Sequence, residues 1–291
     1  MSALSPLFND PQLWTGFCLI LGLLVGSFLN VVIYRLPLMM ERSWKNECRL
    51  ILDPDASEPP KEPKFNLIVP ASTCPKCKHK IRPWENIPVI SYLFLRGKCS
   101  QCKTAISARY PIIEMAAGLL AMLSAAVFGP GLSSFMVCIL CWMLLAMSMI
   151  DIDHQILPDD MTFPLLWLGI LLNTQGMFTS LENAVWGAIA GYLSLWSVYW
   201  LFKLVTGKEG MGYGDFKLLA ALGAWMGWQY LPVIILLSSL VGAIVGIGMI
   251  IFMGRDKSIP IPFGPYLAAA GLIALFQGDK LIASYLHFAG V

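Results

Sequence analysis

Eight apolar runs leave this chain few folds to choose from. They lie at about 15–34, 111–129, 133–150, 161–174, 182–205, 216–229, 231–253 and 261–277. A backbone N–H or C=O in hydrocarbon finds no water, so each run has to close its own hydrogen bonds as a helix. The first run is too long for a signal-peptide core, has no small-residue cleavage site after it, and is flanked by Arg35, so it reads as a retained span. Only 13% of the residues are charged and 57% are apolar, whereas a soluble domain is about a quarter charged. The expected fold is an all-α polytopic membrane protein of about eight transmembrane helices, with membrane lipid as its surroundings.

The charges report how such a chain is threaded. Of 20 Lys plus Arg, 14 fall between Arg35 and Arg109, in the one long polar segment. The positive-inside rule makes the ends of that segment cytoplasmic and puts the N-terminus outside. Counting spans alternately then places Asp151, the Lys203–Asp215 connection and Arg255-Asp256-Lys257 at the cytoplasmic face. A nucleic-acid patch would interleave basic with aromatic residues, and this segment does not. The net charge of +2 carries no further information.

Three parts follow: a first transmembrane helix at 1–37, a cytoplasmic loop at 38–110, and a helical core at 111–291. Within the loop, Asp53 to Lys64 is rich in proline and charge and reads as an extended connector. Beyond it stand Cys74-Pro-Lys-Cys77 and Cys99-Ser-Gln-Cys102. Two CxxC turns about twenty residues apart match a small, zinc-ribbon-like four-cysteine site. Redox dithiols would need a thioredoxin-like strand–helix context, while iron would suit the same four thiolates. A module this small buries too little core to hold itself, so the metal would supply much of its folding energy. Cys138-Ile-Leu-Cys141 lies inside an apolar run and reads as packing; Cys18 and Cys48 read as structural.

Two acids stand where a membrane helix tolerates them least. Asp151 directly continues the run 133–150, and Asp215 closes Gly210-Met-Gly-Tyr-Gly-Asp215 and opens the next run. Carboxylates at such places have a partner or a function, and a pair at one face suffices for acid–base cleavage of a peptide bond. The segment 151–160 holds four acids and a histidine, so position matters. Asp151 is the deepest. Asp153 and His154 suit solvated interfacial positions, and Asp159 or Asp160 suits a helix N-cap after Pro158. Asp215 alone would equally suit an N-cap for a helix starting at Phe216. The glycines do not fit a dinucleotide loop, which needs a strand before it and a helix after it in a soluble sheet. Gly212 and Gly214 instead clear side chains from beside Asp215, so that an extended peptide or a facing helix can come close. Lys217 would pair with a carboxylate or snorkel to headgroups. Glu114, about one turn inside the second span, is a functional candidate with helix–helix hydrogen bonding as its competing role.

In order along nearly the whole chain stand Gly26-Ser-Phe-Leu-Asn-Val-Val-Ile-Tyr-Arg-Leu-Pro37, the paired CxxC motifs and Arg82-Pro-Trp-Glu-Asn-Ile-Pro88. Arg109-Tyr-Pro111 with Glu114, Asp151 with Leu157-Pro-Asp159, Gly212-Tyr-Gly-Asp-Phe-Lys217 and Pro262-Phe-Gly-Pro-Tyr266 complete the set. This ordered set resembles the type IV prepilin peptidases, bifunctional leader peptidase/N-methyltransferases of bacterial pilus and type II secretion systems and GxGD-class membrane aspartic proteases. The resemblance implies catalytic roles for Asp151 and Asp215, choosing Asp151 over Asp153. It implies prepilins and pseudopilins as substrates, cut after a basic leader at the cytoplasmic face of the bacterial inner membrane. It also implies N-methylation of the new N-terminus with S-adenosylmethionine by members that carry the zinc loop. Gly97-Lys98, held beside Cys99, is the expected contact for that cofactor and reads equally as a solvated turn of the metal knuckle. A scaffold or a proton-coupled transporter is the contrasting class, but transport acids gather near the middle of the bilayer rather than at one face.

Overall fold

Long apolar stretches make the helices of this protein, and glycines mark where three of them stop. In chain order α1 is Pro11–Leu52, α2 Ile90–Phe94, α3 Arg109–Phe128, α4 Leu132–His154 and α5 Asp159–Asn173. α6 is Leu181–Thr206, α7 Tyr213–Met226, α8 Leu231–Met253 and α9 Gly264–Ala289. The computed structural model describes residues 10–52, 64–253 and 261–289. Residues 53–63 of the expected connector, and Arg255-Asp256-Lys257, lie outside the described residues. Gly129, Gly207 and Gly227 cap α3, α6 and α7 with φ of 71°, 69° and 91°, values an L side chain rarely adopts.

Each of the eight apolar runs is helical, but the helices are not equal. Among the described residues five are long and apolar enough to cross a membrane: α1, α3, α4, α6 and the stretch Trp228–Ile251, which holds all of α8 except its last two residues. α5 has 15 residues and α7 has 14. At about 1.5 Å per residue they reach roughly 22 and 21 Å, short of a hydrocarbon core of about 30 Å. In α9 the apolar part is Gly264–Gly278. α1 departs from expectation in the other direction. It does not end near Pro37 but continues to Leu52, so the polar loop begins as helix. Proline removes one intrahelical donor, yet Leu38-Met-Met-Glu-Arg beyond it are good helix formers. Lys45 Nζ and Glu41 add a one-turn pair at 2.6 Å.

The chain divides into two compact units, Met1–Trp142 and Met143–Val291, with the division inside α4. In the first, α1 lies along α3 through Gly22 and Gly26, one turn apart. A Cβ at Gly22 would stand 2.6 Å from the Ala117 carbonyl, and one at Gly26 2.7 Å from the Glu114 Cα. Small residues at this spacing let membrane helices approach backbone to backbone. Cys138 and Cys141 are buried beside Ala121 and Ser124 of α3, in keeping with packing. Cys18 is also buried, whereas Cys48 is exposed on the extension of α1.

In the second unit α7 is the central element. Phe216 and every residue from Leu218 to Met226 are buried, as suits a helix that is apolar all round. It packs against α5, α6 and α9. Gly187 and Gly191 of α6 again stand one turn apart, the first against Gly223 and the second against the Leu219 carbonyl. Trp225 Nε1 donates to the Leu165 carbonyl at 2.8 Å, and Asn173 Nδ2 donates to the carbonyls of Ala224 and Trp225 at 2.8 and 3.1 Å. These bonds tie the far end of α7 down. The outer faces of α6 and α8 expose Trp186, Leu193, Leu201, Leu236, Leu240 and Ile244, the side chains lipid would cover.

Candidate active site and metal centre

The last turn of α4 carries Asp151, which follows the wholly buried Ile150 and is itself only 5% exposed. Asp153 and His154, one step further on, are exposed. Oδ2 of Asp151 accepts the backbone N–H of Gly264 at 2.9 Å. Gly264 opens α9, and the first N–H groups of a helix have no acceptor within it. A carboxylate is the favoured partner there, because the helix dipole places partial positive charge at that end.

Asp215 sits in the first turn of α7 and is 6% exposed. It is not the N-cap: α7 begins at Tyr213 with Gly212 in the cap position, and the Asp215 N–H donates to the Gly212 carbonyl at 3.3 Å. The approach to it is held by an aromatic cluster. Tyr199 lies 5.3 Å from Tyr213 and 5.7 Å from Phe216, centroid to centroid. Lys203 Nζ donates to Tyr199 Oη at 3.2 Å and to Glu209 at 2.8 Å. The loop before Asp215 is therefore pinned on the side facing α6.

Leu157 joins the two halves of the site. A Cβ on Gly214 would stand 2.7 Å from the Leu157 Cβ, and one on Gly264 would stand 3.1 Å from its Cδ2 and 2.7 Å from the Asp151 carboxylate. The Leu157 side chain thus wedges between the two glycine segments that border Asp151 and Asp215. The carboxylates lie within electrostatic range of each other. Gly212 leaves open space in front of Asp215: a Cβ there would come no closer than 3.9 Å to its Oδ2. The result is a pair of buried acids at one end of the unit with bare backbone beside both, an arrangement able to polarise a carbonyl and activate water on an extended peptide.

Lys217 takes neither acid of the pair. Its Nζ binds both oxygens of Asp159, at 2.6 and 2.8 Å, and lies 5.1 Å from the Phe163 ring centroid. Asp159 is consequently not an N-cap either; Pro158 holds that position in α5. The pair clamps the first turn of α5 to the second turn of α7. With side chains 22% and 53% exposed it is solvent-screened, and a coupling of about 0.5–1 kcal/mol is expected. A double-mutant cycle of Lys217→Met and Asp159→Asn in thermal unfolding measures it; zero coupling would remove the clamp.

The first unit holds the other predicted residues. Glu114 is buried on α3 and accepts the Val89 N–H at 2.7 Å. Val89 has φ of 60°, a strained conformation for a β-branched residue that its surroundings must enforce. Glu114 therefore docks the loop, and it also bonds Ser27 of α1, the helix–helix role considered for it. Arg35, also buried, does the same from α1, donating to the carbonyls of Asn66 and Pro70 at 2.9 and 2.7 Å. From the sequence Arg35 read only as the charge flanking the first span; its carbonyl partners in the loop, 31 and 35 residues on, left no local signal.

Cys74, Cys77, Cys99 and Cys102 converge, with all four sulfurs within 4.8 Å of one another. Cys74 and Cys102 Sγ are 3.7 Å apart, and Cys77 and Cys99 Sγ 3.9 Å. A tetrahedral ion with bonds of about 2.3 Å sets its sulfurs roughly 3.8 Å apart, so the cage fits. The two turns are copies of each other. The N–H of Lys78 donates to the Cys74 carbonyl and that of Lys103 to Cys99, at 2.9 and 3.1 Å; both lysines have positive φ. Glu85 links the copies: it accepts the Arg82 N–H at 3.0 Å, lies 3.1 Å from His79 Nε2, and bonds Ser100. Those donors, the Arg82 amide first, hold its carboxyl down at about 2. Gly97 is buried with φ of 65°, under the Tyr92 ring, and Lys98 is exposed beside it.

Residues 20–128 match the model of the bacterial peptidase A24 N-terminal domain, and residues 138–247 match that of the type IV leader peptidase family. A protein of Stutzerimonas stutzeri is 58% identical over 289 residues, covering 99% of both chains. A protein of Pseudomonas aeruginosa is 58% identical across 100% of this chain and 99% of its own. One of Aeromonas hydrophila is 55% identical across 95% of each. All three are named prepilin leader peptidase/N-methyltransferase. No solved structure matches the chain. Matches of this extent, over both units and across the aspartates and the cysteines alike, place the chain in the type IV leader peptidase family.

Proposed function

We propose that this protein is an aspartic endopeptidase that removes the basic leader from prepilins and pseudopilins at the cytoplasmic face of the bacterial inner membrane, and then methylates the new N-terminus. The observation that carries the reading is the pair of buried acids, Asp151 and Asp215, bordered by Gly212, Gly214 and Gly264. One carboxyl, protonated, donates to the scissile carbonyl oxygen. The other, ionised, takes a proton from water, whose oxygen bonds to the carbonyl carbon. Collapse breaks the C–N bond and passes a proton to the leaving amine. Neighbouring carboxylates do not readily both ionise, so the pair shares one proton and acts as a unit. A helical substrate has to unwind for this, and the bare backbone at Gly212 and Gly214 gives an extended strand room to lie.

For the second activity the methyl donor is S-adenosylmethionine, which supplies an electrophilic methyl to the neutral amine. Gly97 and Lys98 are the residues of this chain proposed to contact it, held rigid by the knuckle that begins at Cys99. The four cysteines are proposed to hold zinc, whose tetrahedral thiolate geometry the sulfur spacing suits. The names of the relatives support both activities. The test is to incubate the purified full chain with a prepilin and labelled S-adenosylmethionine, expecting a shortened pilin that carries the label. Intact prepilin with folded enzyme present would overturn the reading.

Gly264→Ala is expected to slow cleavage about 100-fold, the scale of an approximately 1 Å misplacement of a reacting group. The new Cβ would stand 2.7 Å from the Asp151 oxygen, and the carboxylate would have to move. Steady-state cleavage beside an unchanged unfolding temperature checks this; an unimpaired rate would mean the amide contact does not matter.

A further inference from the structure

Beside the two acids the second unit carries a groove of about 280 Å³ that the mechanism above does not use. Its walls are the segments that set the carboxylates. Met211 comes from the loop that leads into Asp215. Pro262 and Phe263 lead into Gly264, whose N–H holds Asp151. Ser239 and Gly242 of α8 form its base, with Tyr266 alongside. Among the described residues, no charged side chain lines it. A Cβ at Gly242 would touch the rings of Tyr266 and Phe263, at 3.4 and 3.8 Å, so a longer side chain there would project among the lining residues. Drug-sized ligands occupy about 300–1,000 Å³; this groove holds one or two large side chains and no helix.

We infer that the groove receives the first large apolar side chain on the C-terminal, membrane-side flank of the scissile bond, and so sets which residue can follow the cut. The inference rests on the peptidase reading. A substrate cut at a membrane boundary has one polar and one apolar flank. An uncharged groove would strip water from a leader lysine or arginine with nothing to replace it, a large penalty. An aromatic or branched aliphatic residue loses nothing of the kind and gains by burial. Because both walls are also the supports of the dyad, an occupant of the groove registers the neighbouring peptide bond against Asp151 and Asp215.

The test compares prepilins that carry Phe or Ala immediately after the cut, using the purified full-length enzyme and kcat/KM. Gly242→Leu fills the base of the groove and is expected to lower cleavage of the Phe substrate roughly tenfold more than that of the Ala substrate, a discrimination typical of an apolar pocket. Met211→Ala opens one wall and is expected to favour a Trp substrate over the Phe one relative to wild type. Equal changes on all substrates in both variants would overturn the assignment. Should Gly242→Leu fail to insert, the substrate ratio of Met211→Ala decides alone. A wild-type enzyme that cleaves none of the substrates would instead refute the peptidase reading.

Discussion

Asp151→Asn and Asp215→Asn are each expected to lower leader cleavage by at least roughly 1,000-fold, within the range that proton transfer by a positioned side chain supplies. The amide keeps the shape of the carboxylate, so the loss isolates the proton. At Asp151 the Asn oxygen can still accept the Gly264 N–H that now binds Oδ2 at 2.9 Å, and the Leu157 wedge is untouched. Folding is therefore expected to hold, and removing one of two neighbouring buried acids relieves their mutual repulsion rather than adding to it. The double variant should fall no further than either single one, because groups that act as a unit are not additive. Cleavage rates measured beside unfolding temperatures check this. A variant of either aspartate that keeps a tenth of the wild-type rate would end its assignment as half of a dyad.

What could be read from the chain alone follows the range over which each feature is encoded. The CxxC turns are local: four residues specify each knuckle, and the repeat 25 positions later specifies its partner. The helices are local too, since backbone in lipid has one solution, though their true lengths are not. That α5 and α7 are too short to cross alone, and that α1 outlasts Pro37, depends on which neighbours bury them. The depth of Asp151 is encoded by the run before it, and burial separates it from exposed Asp153. The Gly264 amide, 113 residues from Asp151, and the Lys217–Asp159 pair, 58 apart, leave no local pattern. Sequence reasoning therefore offered Asp159 and Asp215 as helix caps, the commonest local use of an aspartate, and tertiary pairing overrode it. Glu114 shows the same limit: its acid was visible, its partner Val89 in the loop was not.

Stripping the metal proposed for the four-cysteine cage is expected to unfold the loop while the helices stay folded. Between residues 64 and 108 only Cys74, Pro88, Gly97 and Cys99 are buried, which is no hydrophobic core. What remains is a set of tethers: Arg35 to Asn66 and Pro70, Glu114 to Val89, and Glu85 across the two knuckles. Hydrogen bonds of this kind contribute about 1 kcal/mol each, or up to about 3 where a charge is involved. A structural zinc site in a small peptide contributes about 10–16 kcal/mol, so the metal term dominates and the tethers cannot replace it. Chelation, or Cys74→Ser with Cys102→Ser, should make the amides of residues 72–106 exchange freely and open the loop to proteolysis. The amides of α7, whose contacts come from α5, α6 and α9, should stay protected. Methyl transfer, for which Gly97 and Lys98 are the proposed contacts, should be lost. Cleavage should suffer less, because every residue found to hold Asp151 and Asp215 lies between Asp151 and Gly264, outside the loop. Glu85→Gln should give a milder version, with weaker metal retention and earlier loop opening, since an amide cannot accept from Arg82, Ser100 and His79 as a carboxylate does. Hydrogen exchange on the full chain, with metal content measured alongside, distinguishes the outcomes. A loop that stays protected after its metal is gone would show that the tethers, not the ion, hold it.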